Sequence, residues 1–366
     1  MKIIHTAASL NPAPGILNQM QIEQEAADRI QLDWTVRCFC PENFVADVSI
    51  LEHCNTVNTT NANNLFSRAK CFIKFRKEYY KWLRSQEKEL DAFVLRHYTN
   101  DPLQYRFVRD CQKPVFLVHH TLEIPELWTS GLLALPRVIL EKHFGKKSII
   151  ASRCIIGVTD EIIKYELNRT KNNQNKSLLY PNGILLNKKD LRNSQTTEPE
   201  LIFVAGYFAP WQGLDLLLDS IEKSNESFVL HLVGEMDNES YRRAKKDKRI
   251  VIHGLLSKDE INNLSQKCCL GLSSFGLFRK SMKQACTLKV REYLSLGLPV
   301  YADYQDIFPP SFPFFKVGPA EIESVLNYAK SVSSTDRNEI ARASQPFIDK
   351  ESLLLKLYED IVKLAV

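Results

Sequence analysis

Short apolar runs alternate with stretches of helical spacing from one end of the chain to the other, and few architectures accommodate that alternation. A buried strand, an amphipathic helix and another buried strand make the repeating unit of a parallel sheet with helices on both faces. In the first half, residues 2–5, 35–39, 92–96, 115–119 and 155–159 read as strands, separated by helical stretches such as 19–30 and 65–84. In the second half, residues 201–205, 229–233, 250–253, 270–273 and 299–302 read as strands, with amphipathic spacing between them. A chain of 366 residues is too long for one typical domain. The pattern therefore predicts two doubly wound α/β domains. The boundary falls in the polar, structure-poor run near 183–200, which contains Asn187-Lys188-Lys189-Asp190 and Ser194-Gln195-Thr196-Thr197. The last stretch, 351–366, is an amphipathic helix with Leu353, Leu354, Leu357, Ile361 and Leu364 on one side. No repeat of 20–50 residues relates the halves.

Composition narrows the class. With 44% hydrophobic and 25% charged residues the chain is neither disordered nor fibrous. Nine cysteines are present without a C-x-x-C pair, which excludes zinc ribbons and thioredoxin-type redox sites. The N-terminal apolar stretch is too short for a signal sequence, and no run approaches 18 apolar residues, so the expected compartment is the cytoplasm. A net charge of +5 is mild, and no nucleic-acid-binding module accompanies it.

In doubly wound sheets, ligands bind beyond the carboxyl ends of strands, where loops meet helix N-termini. The first such loop, 8–17, contains Gly15, which admits close backbone approach to a diphosphate or simply starts a helix. The second half carries more. Phe203-Val204-Ala205-Gly206-Tyr207 runs into Ala209-Pro210-Trp211-Gln212-Gly213; His231-Leu232-Val233-Gly234-Glu235 and Ile252-His253-Gly254 follow. Leu288-Lys289-Val290-Arg291-Glu292 then begins a helix leading to Gly297-Leu298-Pro299-Val300, and Tyr180-Pro181-Asn182-Gly183 lies upstream.

This ordered set resembles glycosyltransferase family 4, and most closely its members that build bacterial surface polysaccharides. The resemblance implies a GT-B fold: two Rossmann-like parallel-sheet domains facing a central cleft, with the C-terminal helix returning to the first. The N-terminal domain, 1–185 plus 346–366, would take the acceptor and the C-terminal domain, 186–345, the nucleotide sugar. It implies transfer from a nucleotide-sugar donor to a glycan or lipid-linked acceptor, with retention. No cofactor is implied beyond the nucleotide sugar as co-substrate. Glu292 would accept hydrogen bonds from the ribose hydroxyls, a task suited to a fixed carboxylate. Ala285, Cys286, Thr287 and Leu288 would meet the diphosphate with their amides, and Gly254 would frame the base. His119 or His120 would face the donor sugar, and Glu123 would orient the acceptor hydroxyl. Each histidine also reads as a buried structural imidazole, and Glu123 as a helix-starting carboxylate.

The pattern departs from the family at three positions. Tyr207 and Gln212 stand where an arginine and a lysine commonly contact the donor phosphates, and Gln284 replaces the first carboxylate of the E-x7-E motif. A departing diphosphate needs cations or helix amides. Lys289, with Lys283 or Arg279 beside it, is expected to supply the missing charge, unless these cations form a solvated loop. The same departures fit a catalytically silent GT-B scaffold subunit. No Asp-x-Asp stands at a strand end, so no metal requirement is expected. Finally, residues 67–84 hold Lys70, Lys74, Arg76, Lys77, Lys81 and Arg84 with Phe72, Phe75, Tyr79 and Trp82 at helical spacing. This suits peripheral contact with an anionic inner membrane surface, or an outer helix whose aromatics pack on the sheet.

Overall fold

The computed structural model describes residues 1–56, 65–129, 131–170, 176–186, 191 and 198–365. The boundary runs 187–190 and 192–197, and the side chain of Arg68, lie outside the described residues. The chain forms two compact units, Met1–Tyr180 with Lys350–Val366, and Pro181–Asp349.

The first unit is a parallel sheet of seven strands: β1 (Ile3–Ala8), β2 (Trp34–Pro41), β3 (Leu51–Cys54), β4 (Ala92–Arg96), β5 (Val115–His119), β6 (Cys154–Gly157) and β7 (Lys176–Leu179). Their order is β3-β2-β1-β4-β5-β6-β7. Its helices are α1 (Pro14–Arg29), α2 (Leu65–Gln86), α3 (Pro102–Asp110), α4 (Glu123–Trp128), α5 (Leu135–Leu140), α6 (Lys146–Ala151) and α7 (Asp160–Thr170). The second unit is a parallel sheet of six: β8 (Glu200–Tyr207), β9 (Val229–Glu235), β10 (Ile250–Gly254), β11 (Leu270–Leu272), β12 (Val300–Ala302) and β13 (Phe315–Val317), ordered β10-β9-β8-β11-β12-β13. Its helices are α8 (Leu214–Ile221), α9 (Asn238–Lys246), α10 (Lys258–Ser265), α11 (Leu288–Ser295), α12 (Ile322–Val332) and α13 (Arg337–Ile348); α14 (Lys350–Ala365) belongs to the first unit. In both sheets the order reverses beside a central strand, the switch-point geometry at which such folds bind ligands. Among the described residues, no helix is long and apolar enough to cross a membrane.

Three strands escape the sequence pattern: β3, β7 and β13. All are sheet edges of three or four residues with largely solvated side chains, so they lack the apolar run that marks a buried strand.

The first unit is tied together at one carboxylate. Glu23 on α1 is buried, and His5 Nδ1 on β1 lies 2.6 Å from its Oε1. Trp34 Nε1 on β2 donates to the same oxygen at 2.9 Å. Tyr180 donates to Oε2 at 2.8 Å, and Lys350 Nζ at the start of α14 lies 3.0 Å away. Burial alone would raise this carboxyl's pKa, but His5 and Lys350 outweigh it and hold it well below the ordinary carboxylate range.

The helix proposed for a membrane surface is a correction. In α2, Phe75 and Tyr79 are buried against Phe39 of β2, and Trp82 packs 5.4 Å from the same ring. Arg76 does not face outward. It is 1% exposed, donates from Nε to Asp101 at 2.6 Å, and lies 3.9 Å over the Tyr98 ring. Among its described cations Lys70, Lys74, Lys77 and Lys81 stand exposed, with Phe72 and Ile73 exposed beside them, while Arg84 is half-buried and paired with Glu87. Of the aromatic stripe, Phe75, Tyr79 and Trp82 pack on the sheet, and Phe72 alone stands exposed.

Replacing Glu23 by Gln leaves Lys350 buried without a counter-charge and should lower stability by about 3 kcal/mol in denaturant unfolding at pH 7. Because the folded-state pKa lies below the unfolded value, the wild-type contribution is complete above about pH 5 and is lost as pH falls toward the folded pKa. The difference between Glu23→Gln and wild type should therefore shrink between pH 5 and 3.

Candidate functional site

The carboxyl end of β8 in the second unit is shaped by two glycines. A side chain at Gly234 (φ +135°) would place its Cβ 1.7 Å from the Ala205 carbonyl, so β8 and β9 can diverge here only around glycine. Gly213 (φ +71°) closes the short helix Pro210–Gln212 and opens α8, with its α-carbon against the Phe275–Gly276 backbone. The turn is thus fastened to the loop after β11, where the Phe275 amide donates to the Gln212 carbonyl at 2.8 Å. Gly206 and Tyr207 stay exposed at the strand end.

Gln212 is buried, and its side-chain oxygen accepts from Ser274 Oγ at 2.9 Å and from Lys289 Nζ at 2.8 Å. Lys289, in the first turn of α11, also lies 5.3 Å over the Phe203 ring. Burial pulls its ammonium down to about 7, and among the described residues no carboxylate pairs with it. Lys289 therefore brings a cation to the very turn that lacks one at position 212. Arg279 does not join it: its guanidinium is spent on Asp215, at 2.9 and 2.7 Å, and on the Pro210 carbonyl. Lys280 rests 4.6 Å over the Trp211 ring, and Lys283 is exposed.

The turn before α11 is fixed from two sides. Ala285 donates its amide to Gln305 at 3.1 Å, Gln284 bridges to Gln305, and Thr287 Oγ1 lies 3.3 Å from the Tyr304 hydroxyl. Asn182 donates its backbone amide to Cys286 Sγ at 3.1 Å and its side-chain amide to the Cys286 carbonyl. Arg291, buried with Asp306 in a bidentate pair at 2.5 Å, donates to the Asn182 carbonyl at 3.1 Å. Thr287 caps α11 without a side-chain hydrogen bond, which leaves the first-turn amides, Leu288 included, uncapped by it. Glu292 follows Lys289 by one turn; burial raises its pKa, and Lys258 offsets this in part. Gly254 (φ +68°) ends β10 with open space at its Cα, beside exposed Leu255.

In the first unit, β5 delivers the histidine pair with opposite fates. His119 is 1% exposed, stacks on His97 at 4.6 Å and hydrogen-bonds Glu123 through Nδ1 at 2.7 Å. Burial keeps it neutral, with its pKa down to about 3. Glu123 is buried beside it rather than turned toward an acceptor. Around them lies a network the sequence reading missed. Glu141 accepts from Arg169 at 2.7 Å and from Asn100 at 2.7 Å, and contacts His97 at 3.1 Å. Burial would raise Glu141, but His97 and Arg169 hold it at about 2. Burial and the neighbouring Glu123 push the Glu166 carboxyl up, against Arg169, which donates to it from Nε at 2.7 Å. His119 and Glu123 are therefore interior groups. His120 is half-buried and kept neutral by burial and nearby Arg96, and it makes no hydrogen bond among the described residues. Gly15 lies exposed in the first turn of α1, which starts at Pro14 with an open Cα.

Among the described residues, two clusters bring metal-ligating atoms within 4.8 Å of one another: His97, His119 and Glu123, and Glu200, His231 and Cys268. In the first, the rings lie only 21° from parallel, so their in-plane lone pairs do not converge. In the second, both His231 nitrogens are engaged at 3.0 Å, by His253 and Glu200. Neither arrangement is a tetrahedral ligand set.

No protein-family model and no curated protein sequence matches this chain. Solved structures do. It is similar to a lipopolysaccharide outer core galactosyltransferase, WaaB (TM-score 0.66, 12% identity, 99% of each chain covered). It is also similar to HepE from Anabaena in complex with UDP (0.67, 13%, 99% of this chain and 100% of that). A third similar structure is the sucrose-phosphate synthase from Thermosynechococcus elongatus (0.66, 15%, 100% and 99%). The fold is GT-B. The seven- and six-stranded parallel sheets are its two α/β domains.

The contrast at the end of β5 is measurable. His119→Ala should lower stability by roughly 2–4 kcal/mol, since it breaks a buried hydrogen-bonded network, whereas His120→Ala should stay within about 1 kcal/mol of wild type in the same denaturant titration.

Proposed function

We propose that this chain is a nucleotide-sugar-dependent glycosyltransferase of the family 4 type, acting with retention and without metal on a glycan or lipid-linked acceptor. The process that fits is bacterial surface-polysaccharide synthesis at the inner face of the membrane. The observation that carries the reading is Lys289. A half-buried ammonium without a carboxylate partner is unfavourable by itself, and a diphosphate would relieve it. It sits beside the Pro210–Gln212 turn and in the first turn of α11, where backbone amides also favour an anion. Glu292, one turn later, would take the ribose hydroxyls, and the Gly254–Leu255 loop would border the base. The UDP bound in HepE supports a uridine diphosphate donor as the first choice. The charge that develops on the departing diphosphate would be met by Lys289 and these amides, the preorganised stabilisation that dominates transfer without metal. On the first unit, His120 is the histidine exposed enough to meet a substrate.

A thermal-shift screen against UDP-, GDP-, ADP- and CDP-sugars tests the donor site. One donor class should raise Tm, and Glu292→Ala should abolish that shift. A folded protein that binds no donor would transfer the reading to a silent GT-B scaffold subunit, to which Tyr207, Gln212 and Gln284 already point.

The titration of Lys289 gives a second check. A diphosphate favours the ammonium, so donor affinity should fall above pH 7, approaching tenfold per unit, as the free enzyme's Lys289 deprotonates. Lys289→Arg should bind with a flat profile between pH 7 and 9, because its guanidinium stays charged. Calorimetric titration across that range reads both.

A further inference from the structure

The segment from α4 to α6 is apolar on two sides. Its inner side is ordinary core: Leu127, Ala134, Val138 and Ile149 are buried in the first unit. Its outer side is not. Leu132 and Leu133 are 86% and 90% exposed, Ile139 is 58% exposed, and Trp128, Leu135 and Leu140 stand out beside them. A surface helix normally turns polar residues outward, and single exposed leucines need no explanation, but six large apolar side chains along one ridge do.

The ridge is held rigidly. Between α5 and α6 the backbone widens into one π-helical turn, Glu141–Gly145, without leaving the right-handed region. Such insertions mark functional segments more often than chance. Here the turn sends Glu141 inward to Arg169, His97 and the Asn100 amide. Gly145 is required beside it, since a Cβ there would meet Glu141 Oε1 at 2.0 Å. The helical segment is thus pinned by an internal ion network, with its apolar ridge facing out.

Charge identifies the occupant. Residues 131–151 contain Arg137, Lys142, Lys146 and Lys147 but one acid, Glu141, which is buried. Within 131–151 every charge shown to solvent is therefore positive, with Arg137, Lys142 and Lys147 exposed around the leucines, and Glu126 on α4 is the exposed acid beside them. Leucine and tryptophan on an outer ridge rimmed by lysine and arginine match the boundary between acyl chains and anionic headgroups.

We propose that the ridge spanning residues 128–140, with its basic rim, docks the protein on an anionic bilayer surface. The inference deepens the reading of a lipid-linked acceptor and rests on it for its purpose. It replaces α2, whose Phe75 and Tyr79 are buried in the core and which leaves two large apolar side chains, Phe72 and Ile73, exposed.

The test is co-sedimentation of the full chain with phosphatidylcholine vesicles, with and without phosphatidylglycerol. Binding should require the anionic lipid and weaken with salt. The double variant Leu132→Glu/Leu133→Glu should bind about tenfold more weakly or worse. Its Tm and nucleotide-sugar shift should match wild type, which shows that the fold survives. Lys142→Glu/Lys147→Glu should also weaken binding, whereas Lys74→Glu/Lys77→Glu/Lys81→Glu on α2 should leave it close to wild type. Wild-type protein that ignores anionic vesicles would overturn the proposal, as would a leucine double variant that binds them fully. A wild-type dimer in size-exclusion chromatography that the leucine variant breaks, without vesicle binding, would assign the ridge to a second copy. Donor binding is read separately: retained without vesicle binding, it sinks the docking alone, and lost with vesicle binding intact, it sinks the transferase reading alone.

Discussion

A parallel sheet sends every strand's carboxyl end to one edge, and that single constraint places the chemistry of this protein. Loops leaving that edge begin helices, so unpaired amides collect there without any particular side chain being required. What the sequence must then supply is room and a compensating charge. Gly234 and Gly213 give the room, one where a Cβ would strike the Ala205 carbonyl, the other where two loops touch backbone to backbone. Lys289 would give the charge, reaching from α11 to the oxygen of Gln212.

Buried charge is handled differently in the two roles it plays here. Glu23, Arg76 with Asp101, and Arg291 with Asp306 are all buried with an opposite charge beside them, and each fastens elements distant in sequence. Such pairs give little net stability compared with apolar packing, but breaking one is costly, so they fix which elements meet. The Glu141–Arg169–His97 network belongs to this class, and it explains why His119 faces inward. Lys289 is the exception, a half-buried cation beside a neutral amide. Compensated charge reads as architecture, and uncompensated charge reads as a site.

The sequence made the alternation of strands and helices legible, because central strands of a parallel sheet are apolar on both faces. It hid β3, β7 and β13 for the complementary reason: an edge strand is half solvated and carries no such run. At the second unit the motifs lay close together along the chain, so Gln212, Lys289 and Glu292 could be named before their geometry was known. Nothing in the sequence marks Glu141 as an interior ligand of Arg169. It sits in the middle of a helical pattern among exposed lysines, and only the π turn at Gly145 rotates it inward. The histidine pair was visible but not its orientation, which a strand's alternation decides only once the network beneath His119 is seen.

The exchange of roles between α2 and the α4–α6 segment follows from the same limits. Both segments are rich in cations and apolar residues, and composition does not separate them. In α2 the aromatics at 75, 79 and 82 recur every three or four residues, so a single stripe is available, and the sheet takes it. Between 132 and 140 the apolar positions number too many for one stripe. Ala134 and Val138 satisfy the core, and Leu132, Leu135 and Ile139 stay exposed outside it. An amphipathic helix has one apolar face to bury, whereas a helix with two has one left over, and that surplus marks an interaction surface more reliably than any count of lysines.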